Sequence, residues 1–95
     1  MKYLITLSIR ADADPAEVDA ARIPSSKVLW DLHMAGVVRE MYGRQDNAGV
    51  VFIAEAPNAE ALNTALSTLP FLQSGLLVGD AIALTPFADI ALAFK

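Results

Sequence analysis

Residues 27–44 read KVLWDLHMAGVVREMYGR, and within this stretch the apolar pattern changes its period. Up to Gly36 the apolar residues recur at helical spacing, and beyond it VVREMYGR has the composition of a strand. A glycine suits the left-handed residue that ends many helices, because it has no Cβ to clash with the backbone. The stretch therefore predicts a helix that ends at Gly36 and leads directly into a strand over residues 37–44.

The chain before this stretch predicts a strand and the beginning of the same helix. Residues 2–10, KYLITLSIR, alternate with a period of two, which is typical of a strand. Asp14 is a suitable N-cap, Pro15 fits the first helical position, and Glu17 stands where a capping-box acid is expected. We expect Pro24 to kink or briefly break this helix, because proline removes a backbone hydrogen bond.

The chain after it predicts two more strands with a helix between them. Residues 48–56 form the second strand of a hairpin, joined to the first by the tight connection Gln-Asp-Asn. A helix opens at Pro57 and Asn58 and stops at Pro70, and a last strand covers residues 76–84. This order predicts an α+β, ferredoxin-like βαββαβ fold with an antiparallel sheet. We expect residues 1–95 to form a single domain.

The predicted strands carry apolar residues on both faces. One parity holds Leu4, Val38, Val51, Ile53 and Leu77, and the other holds Ile5, Leu7, Val50, Phe52, Leu76 and Ile82. Two helices cover one face of a sheet, so we expect the sheet of a second copy to cover the other, as in a dimeric α+β barrel. The composition agrees, because 55% hydrophobic residues exceed what a domain of this size can bury alone. We predict a homodimer or a larger homo-oligomer.

Charge and composition argue against several classes of function. A net charge of −4, with the seven Lys and Arg residues scattered, argues against nucleic-acid binding. With one histidine and no cysteine, we predict no metal and no cofactor. The apolar residues 75–94 are interrupted by Asp80, Pro86 and Asp89, which argues against a membrane span. Residues 3–9 are short for a signal peptide, so we expect a cytoplasmic protein.

A set of turn and capping residues resembles the muconolactone δ-isomerase-like family. The landmarks, which extend from residue 14 to residue 86, are Asp14-Pro15, Gly36, Arg39, Pro57 with Glu60-Ala61-Leu62, Leu69-Pro70, Asp80 and Pro86. The resemblance implies a ferredoxin-like fold, a large homo-oligomer, and proton transfer between carbons of a small lactone acid in aromatic catabolism. It also places Arg22 where the isomerases have a basic residue. Residues 24–27, Pro-Ser-Ser-Lys, stand where the isomerases are expected to have a cluster of acids.

Two residues are the main candidates for chemistry. His33 lies on the flank of the buried stripe of the first helix, near Ser26, where an imidazole can act as a general base. The alternative is a boundary histidine with one ring nitrogen bonded. Arg39, in a strand expected to be covered on both faces, needs an acid partner or an anionic ligand. It therefore either pairs with Glu40 or Glu55, or holds a substrate carboxylate.

Two of the remaining candidates, Tyr42 and Asp80, also have two interpretations each. Tyr42 either donates a hydrogen bond to a developing oxyanion or packs its ring and leaves its hydroxyl in water. Asp80 either pairs with an arginine or lines a cleft, and with Ser26 and Arg39 it completes the predicted substrate-binding set. Trp30, on the outer side of the first helix, is predicted to be an oligomer contact. The apolar tail, residues 86–95, is expected to dock on a neighbouring subunit.

Three functions are consistent with these residues. The first is an isomerase-like protein in which Arg39 holds the carboxylate of a small acid, His33 moves the proton and Tyr42 polarises the oxygen. The second is a non-catalytic small-ligand-binding or assembly module, which the absence of acids at residues 24–27 favours. The third is a cofactor-free monooxygenase or cyclase on an aromatic substrate, with Trp30 lining a larger pocket.

Overall fold

The fold is one four-stranded antiparallel sheet with helices packed on one face. The computed structural model describes residues 1–94. The strands are arranged in the order β2-β3-β1-β4, with β1 Lys2–Ile9, β2 Val38–Gly43, β3 Val50–Glu55 and β4 Leu77–Leu84. The helices are α1 Pro15–Met34, α2 Ala59–Leu66 and the short α3 Pro70–Gln73. The predicted α+β, ferredoxin-like fold is confirmed.

Helix α1 begins as the sequence predicts but is not interrupted. The Asp14 side chain accepts a hydrogen bond from the Ala16 N–H (2.9 Å), and Gly36, just after the helix, has φ +81°. The predicted break at Pro24 is wrong, because the helix is continuous from Pro15 to Met34, whereas the alternative of a kink stays a prediction. The residue after the proline, Ser25, is fully buried, so packing against the core holds the chain helical on both sides of the missing hydrogen bond.

The second helical region is divided into two helices. α2 ends at Leu66, and Pro70, which was expected to stop the helix, begins α3 instead. Proline is favoured at a first helical position because its missing N–H would have no partner there. Leu69 cannot cap α3 with its side chain, but the hydroxyl of Ser25 accepts a hydrogen bond from the Phe71 N–H (3.2 Å). This bond ties α3 to α1.

The core lies between the helices and the sheet. The helix-facing side of β1 contributes Tyr3, Ile5 and Leu7, which pair with β3, and the largest fully buried side chain is Phe52.

Three strand residues lie on the opposite face of the sheet from the face that the sequence alternation predicted. A β-bulge at Arg39 shifts the register of β2 and places Val38 on the helix side. Leu77, opposite Ile9, is also on the helix side, whereas Ile82, opposite Leu4, is on the far side.

The far side of the sheet has no cover from residues 1–94. We call it the open sheet face; its apolar members include Leu4, Tyr42, Val51, Ile53, Val78 and Ile82. Tyr42, Val78 and Ile82 are exposed, and the other three are half-buried by their neighbours on the sheet.

A C-terminal segment, residues 87–94, leaves the domain after β4. It forms a 3-10 helix over Ala88–Phe94, and every residue from 85 to 94 is exposed. Its apolar side chains therefore have no cover from the described part of the chain. Lys95 lies outside the described residues. None of the helices in the described part of the chain is long and apolar enough to cross a membrane.

Candidate functional site

A cavity lies beneath α1, at the end of the sheet where β1 and β2 finish and β3 begins. Its volume is about 370 Å³. The lining residues are Ile9, Val18, Arg22, Ser26, Leu29, Gly43, Arg44, Ala48, Gly49, Val50, Phe71 and Leu77. We call it the α1 cavity. Its lining combines apolar residues with two arginines, Arg22 and Arg44, and one serine, Ser26.

The hairpin β2–β3 forms one wall of the α1 cavity because β3 begins very close to β1. A Cβ on Gly49 would lie 1.9 Å from the carbonyl oxygen of Leu7, so only glycine fits there. Next to it, the Asn47 side-chain oxygen accepts a hydrogen bond from the Gly49 N–H (2.8 Å) and fixes the turn. Because β3 lies so close to β1 here, the side chain of Arg44, the residue after β2, reaches across β3 and contacts Ser8 of β1.

One face of α1 forms the roof of the cavity. Arg22, Ser26 and Leu29 follow each other at helical spacing, so they point the same way. The Nε of Arg22 lies 3.3 Å from the Asp19 carboxylate, and both side chains are mostly exposed. Such an exposed pair contributes little, so the Arg22 side chain can turn into the cavity at small cost.

Arg44 is held rigidly on the opposite wall. Its Nε and Nη2 donate to the two carboxylate oxygens of Asp46 (2.9 and 2.6 Å), and its Nη1 donates to the Ser8 hydroxyl (2.8 Å). The hydrogen bonds from Arg44 lower the pKa of Asp46 below its ordinary value. Arg44 therefore brings a fixed but partly neutralised positive charge to the cavity.

Sequence reasoning did not identify Arg44 as a site residue. A signal was available in the topology, because the end of β2 and the end of β1 meet at one end of a ferredoxin-like sheet, where α1 also begins. Arg22 was identified through the family resemblance alone, and the structure places it in the same cavity as Ser26.

His33 lies on the same helical face as Arg22, Ser26 and Leu29, but beyond the cavity. Its Nδ1 is 2.8 Å from the carbonyl oxygen of Val38. Since a carbonyl oxygen only accepts hydrogen bonds, Nδ1 carries the proton, and the lone pair of the neutral ring is on Nε2. Nε2 has no hydrogen-bond partner among residues 1–94. The orienting group that the sequence did not reveal is thus a backbone carbonyl of the next strand.

Arg39 lies at the same turn as His33 but is not enclosed. Because it occupies the β-bulge, its side chain is exposed, and its Nε donates to the carbonyl oxygen of Gly36 (2.6 Å). The expected burial of this guanidinium between two covered faces is not observed. Its predicted acid partners are engaged elsewhere: Glu40 accepts from Tyr42, and Glu55 faces the Met1 amino group at 3.2 Å.

Tyr42 and Asp80 lie on the open sheet face, away from the α1 cavity. The Tyr42 hydroxyl donates to the Glu40 carboxylate (2.7 Å), which raises the pKa of Tyr42 above its ordinary value of 10.0. Tyr42, Val51, Thr6 and Asp80 form one row across the sheet. The first and last of these are three strand spacings apart, about 14 Å.

The structure thus distributes the five predicted site residues over three places. Ser26 lines the α1 cavity, His33 and Arg39 share the turn between α1 and β2, and Tyr42 and Asp80 are on the open sheet face. Within residues 1–94, no group of three acidic or histidine side chains is placed to hold a metal ion.

A second, larger cavity of about 530 Å³ lies between α2 and β4. Its lining is mostly apolar, with Asn63, Ser67 and Gln73 as uncharged polar residues. Asp80 borders this cavity, but its pairing opposite Thr6 directs the side chain to the open sheet face. Among residues 1–94, no lysine or arginine lines this cavity, so it is less suited to an anionic ligand than the α1 cavity.

Comparison with known proteins identifies the fold. No protein-family model and no curated protein sequence matches this chain. A solved structure of 5-chloro-2-hydroxyhydroquinone dehydrochlorinase from Burkholderia phenoliruptrix AC1100, in complex with 2,5-dihydroxybenzoquinone, is 18% identical, with a TM-score of 0.70 over 90% of this chain and 94% of that one. A structure of muconolactone isomerase is 18% identical, with a TM-score of 0.68 over 93% and 94%. The chain therefore has a muconolactone isomerase-like fold, as the landmark residues indicated.

Proposed function

We propose that the protein binds a small organic anion, such as a lactone acid, in the α1 cavity. The observation that carries this proposal is the placement of Arg22 and Arg44 around one cavity whose lining includes no acidic residue. The protein has a net charge of −4, so the concentration of two arginines at one cavity is not a consequence of its composition.

The cavity offers separate surfaces for the two parts of such a ligand. Arg22 and Ser26, one helical turn apart, can donate hydrogen bonds to one carboxylate, and Arg44 adds positive charge from the opposite wall. Leu29 and Phe71 provide an apolar surface for a small ring. A volume of about 370 Å³ suits a small metabolite.

Binding is tested with muconolactone and, as a matched uncharged ligand, its methyl ester. We expect the purified protein to bind the acid more tightly than the ester in isothermal titration calorimetry. Arg22→Met should weaken binding of the acid roughly 10- to 100-fold, as expected for hydrogen bonds to a charged group, and should change binding of the ester much less. Arg39→Met is the matched control, since Arg39 lies outside the cavity.

Two results would contradict the proposal. Equal affinity for the acid and the ester would show that the arginines do not recognise the charge. A loss of binding in Arg39→Met with none in Arg22→Met would move the anion site to the turn between α1 and β2.

A second candidate function is proton transfer on the bound anion, with His33 as the base. The observation that favours it is the hydrogen bond from His33 Nδ1 to Val38, which leaves Nε2 able to accept a proton. The cavity lining itself contains no general base. His33 is seven residues after Ser26, so a ligand held by Ser26 must extend about 10 Å along α1 to reach it. In such a reaction the ring would remove a proton from one carbon and return it to another.

Proton transfer is tested by deuterium uptake into muconolactone from heavy water. We expect slow uptake with the protein, lost in His33→Gln and retained in Glu17→Gln, a control in the exposed first turn of α1. Binding without any uptake would leave the non-catalytic small-ligand binder as the function. No observation favours a monooxygenase or cyclase, because Trp30 lines neither of the two cavities described above.

The open sheet face supports the predicted self-association. No helix or loop within residues 1–94 covers its apolar side chains, and a second copy of the same face would cover them as in a dimeric α+β barrel. We propose this pairing as the dimer interface. The predicted cytoplasmic location stays a prediction.

A further inference from the structure

The outer side of α1 carries an exposed apolar stripe that neither cavity uses. Ile23, Lys27, Trp30 and Met34 are spaced by four, three and four residues, so they form one line along the helix. Ile23 is 68% exposed, Trp30 57% and Met34 70%. We call this line the outer α1 stripe. It borders an open groove that also includes Asp31.

The C-terminal segment is a second exposed apolar element outside the open sheet face, with no cover from residues 1–94. Phe87 is 72% exposed and Phe94 84%, and Ile90 and Leu92 are exposed as well. In a 3-10 helix, residues three apart lie on one face, so Phe87 and Ile90 point the same way. Asp89 is the one charged residue of the segment.

We propose that the C-terminal segment of one copy docks on the outer α1 stripe of a second copy. The exposure and the composition of the two surfaces support this docking. Both surfaces are apolar and exposed, and no residue from 1 to 94 covers either of them. Trp and Met are enriched at protein interfaces, and Phe side chains are large enough to fill the spaces between them.

The lengths of the two surfaces match. The stripe extends over eleven steps of α-helix, from Ile23 to Met34, or about 16 Å. The C-terminal segment has seven steps of 3-10 helix, about 14 Å. One segment can therefore contact the stripe from Ile23 to Met34.

The charges are complementary as well. Lys27 stands in the middle of the stripe and forms no ion pair with any residue from 1 to 94. Asp89 likewise forms none in the described structure. Docking brings an unpaired cation and an unpaired anion into one contact, which fixes the direction in which the segment lies.

The area of the contact is set by the face of the segment that carries Phe87 and Ile90. Phe87 can bury roughly 150–250 Å², and Ile90 adds to this area. A reciprocal exchange of two segments, counted on both partners, buries at least roughly 600–1,000 Å², which adds to the interface proposed for the open sheet face.

The first test is cross-linking between two different variants of the full chain, which has no cysteine of its own. One variant carries Asp31→Cys beside the stripe, and the other carries Ala91→Cys in the segment. We expect a disulfide-linked heterodimer when they are mixed under mild oxidation. In the control, the first variant carries its cysteine at the exposed Glu60 of α2 (Glu60→Cys) in place of Asp31→Cys, and it should give several-fold less product.

The second test reverses the two charges in the same assay. Lys27→Asp in the first variant, or Asp89→Lys in the second, should each slow cross-linking about two- to fivefold, the range expected for an exposed ion pair. Both changes together should restore the rate, which an unfolded variant could not do. Trp30→Ser should reduce the product further.

Three results would overturn the proposal. They are equal cross-linking to Glu60→Cys, no effect of Trp30→Ser, and no restoration by the double charge reversal. A chain that carries both cysteines and forms only an internal disulfide at high dilution would show that the segment docks on its own copy.

Discussion

At the scale of single residues, the predicted site residues are bound by neighbours close in sequence. His33 contacts a carbonyl five residues on, Arg39 one three residues back, and Tyr42 a carboxylate two residues back. Each of these contacts uses one polar atom of a side chain that sequence reasoning assigned to a ligand or a reaction, and in His33 it leaves Nε2 without a partner among residues 1–94. The identity of the residues was visible in the sequence, but the use of each polar atom was not, because it depends on the bulge in β2 and the turn at Gly36.

The contact between Tyr42 and Glu40 gives a prediction for pH dependence. The carboxylate accepts the hydrogen bond of the neutral phenol and repels the phenolate, so it raises the pKa of Tyr42. In Glu40→Gln we expect this pKa to fall toward its ordinary value, measured by absorbance titration with Tyr42→Phe to identify the signal.

The sign of the accompanying stability change follows from linkage. The pKa of Tyr42 is raised in the folded protein. Its contribution to the free energy of unfolding is therefore fully present below the unfolded pKa, near 10, and is lost as the pH rises through the folded pKa. Glu40→Gln should reduce this loss of stability at alkaline pH. Glu55→Gln is the control, and an unchanged Tyr42 titration in Glu40→Gln would refute the assignment.

At the scale of elements, the hairpin β2–β3 decides where the α1 cavity is. The strand β3 begins against β1 at Gly49, and Arg44 reaches Ser8 across this contact. A bulkier residue at the start of β3 would separate the strands and move Arg44 away from Arg22. The sequence indicated the hairpin correctly, but it did not show that Gly49, just before β3, lies against β1.

Gly49→Ala tests this close approach. The added Cβ would clash with the Leu7 carbonyl oxygen, so we expect the free energy of unfolding to fall by roughly 1–3 kcal/mol. Gly43→Ala, in the same hairpin, is the matched control, since no heavy atom lies within 4 Å of its Cβ position. It should change stability by about 0.5 kcal/mol or less.

Both values are measured by urea denaturation at one protein concentration, because self-association contributes to stability. Equal destabilisation by the two substitutions would show that the hairpin, rather than the contact with Leu7, is sensitive to added side chains.

At the scale of the whole molecule, the single chain exposes more surface than its size requires. A monomeric domain of 10.1 kDa is expected to expose roughly 5,300 Å², whereas this chain exposes 6317 Å². Its radius of gyration is 15.1 Å, against roughly 12 Å for a compact domain of the same length. The C-terminal segment, which is exposed along its whole length, and the open sheet face both contribute to the exposed area, and both are proposed as contacts between copies.

Pairing through the open sheet face is tested with Ile82→Lys. A lysine there would be buried without a partner in a dimer, so we expect self-association to weaken at least tenfold in sedimentation velocity. Ala83→Lys is the control, because the next residue of β4 points to the other face of the sheet. Wild-type protein that stays monomeric at micromolar concentration would contradict the interface, as would equal effects of the two lysines.

The sequence by itself determined the order of the elements and the class of the fold. The alternation of β1, the cap at Asp14 and the glycine at residue 36 are local features, and local backbone preferences are enough to fix them. The exposure of Trp30 also followed from helical spacing alone. The sequence did not predict that α1 is continuous at Pro24, because the packing of Ser25 against the core outweighs the cost of the proline.

Only the tertiary structure decided where the chemistry can occur. Arg22 and Arg44 are 22 positions apart in sequence, and they line one cavity because β1, β3 and α1 meet at one end of the sheet. A one-residue bulge at Arg39 changed which face Val38 occupies and released the arginine to solvent. Sequence patterns report periodicity within an element, whereas a site depends on the register and contact between elements, which long-range packing sets.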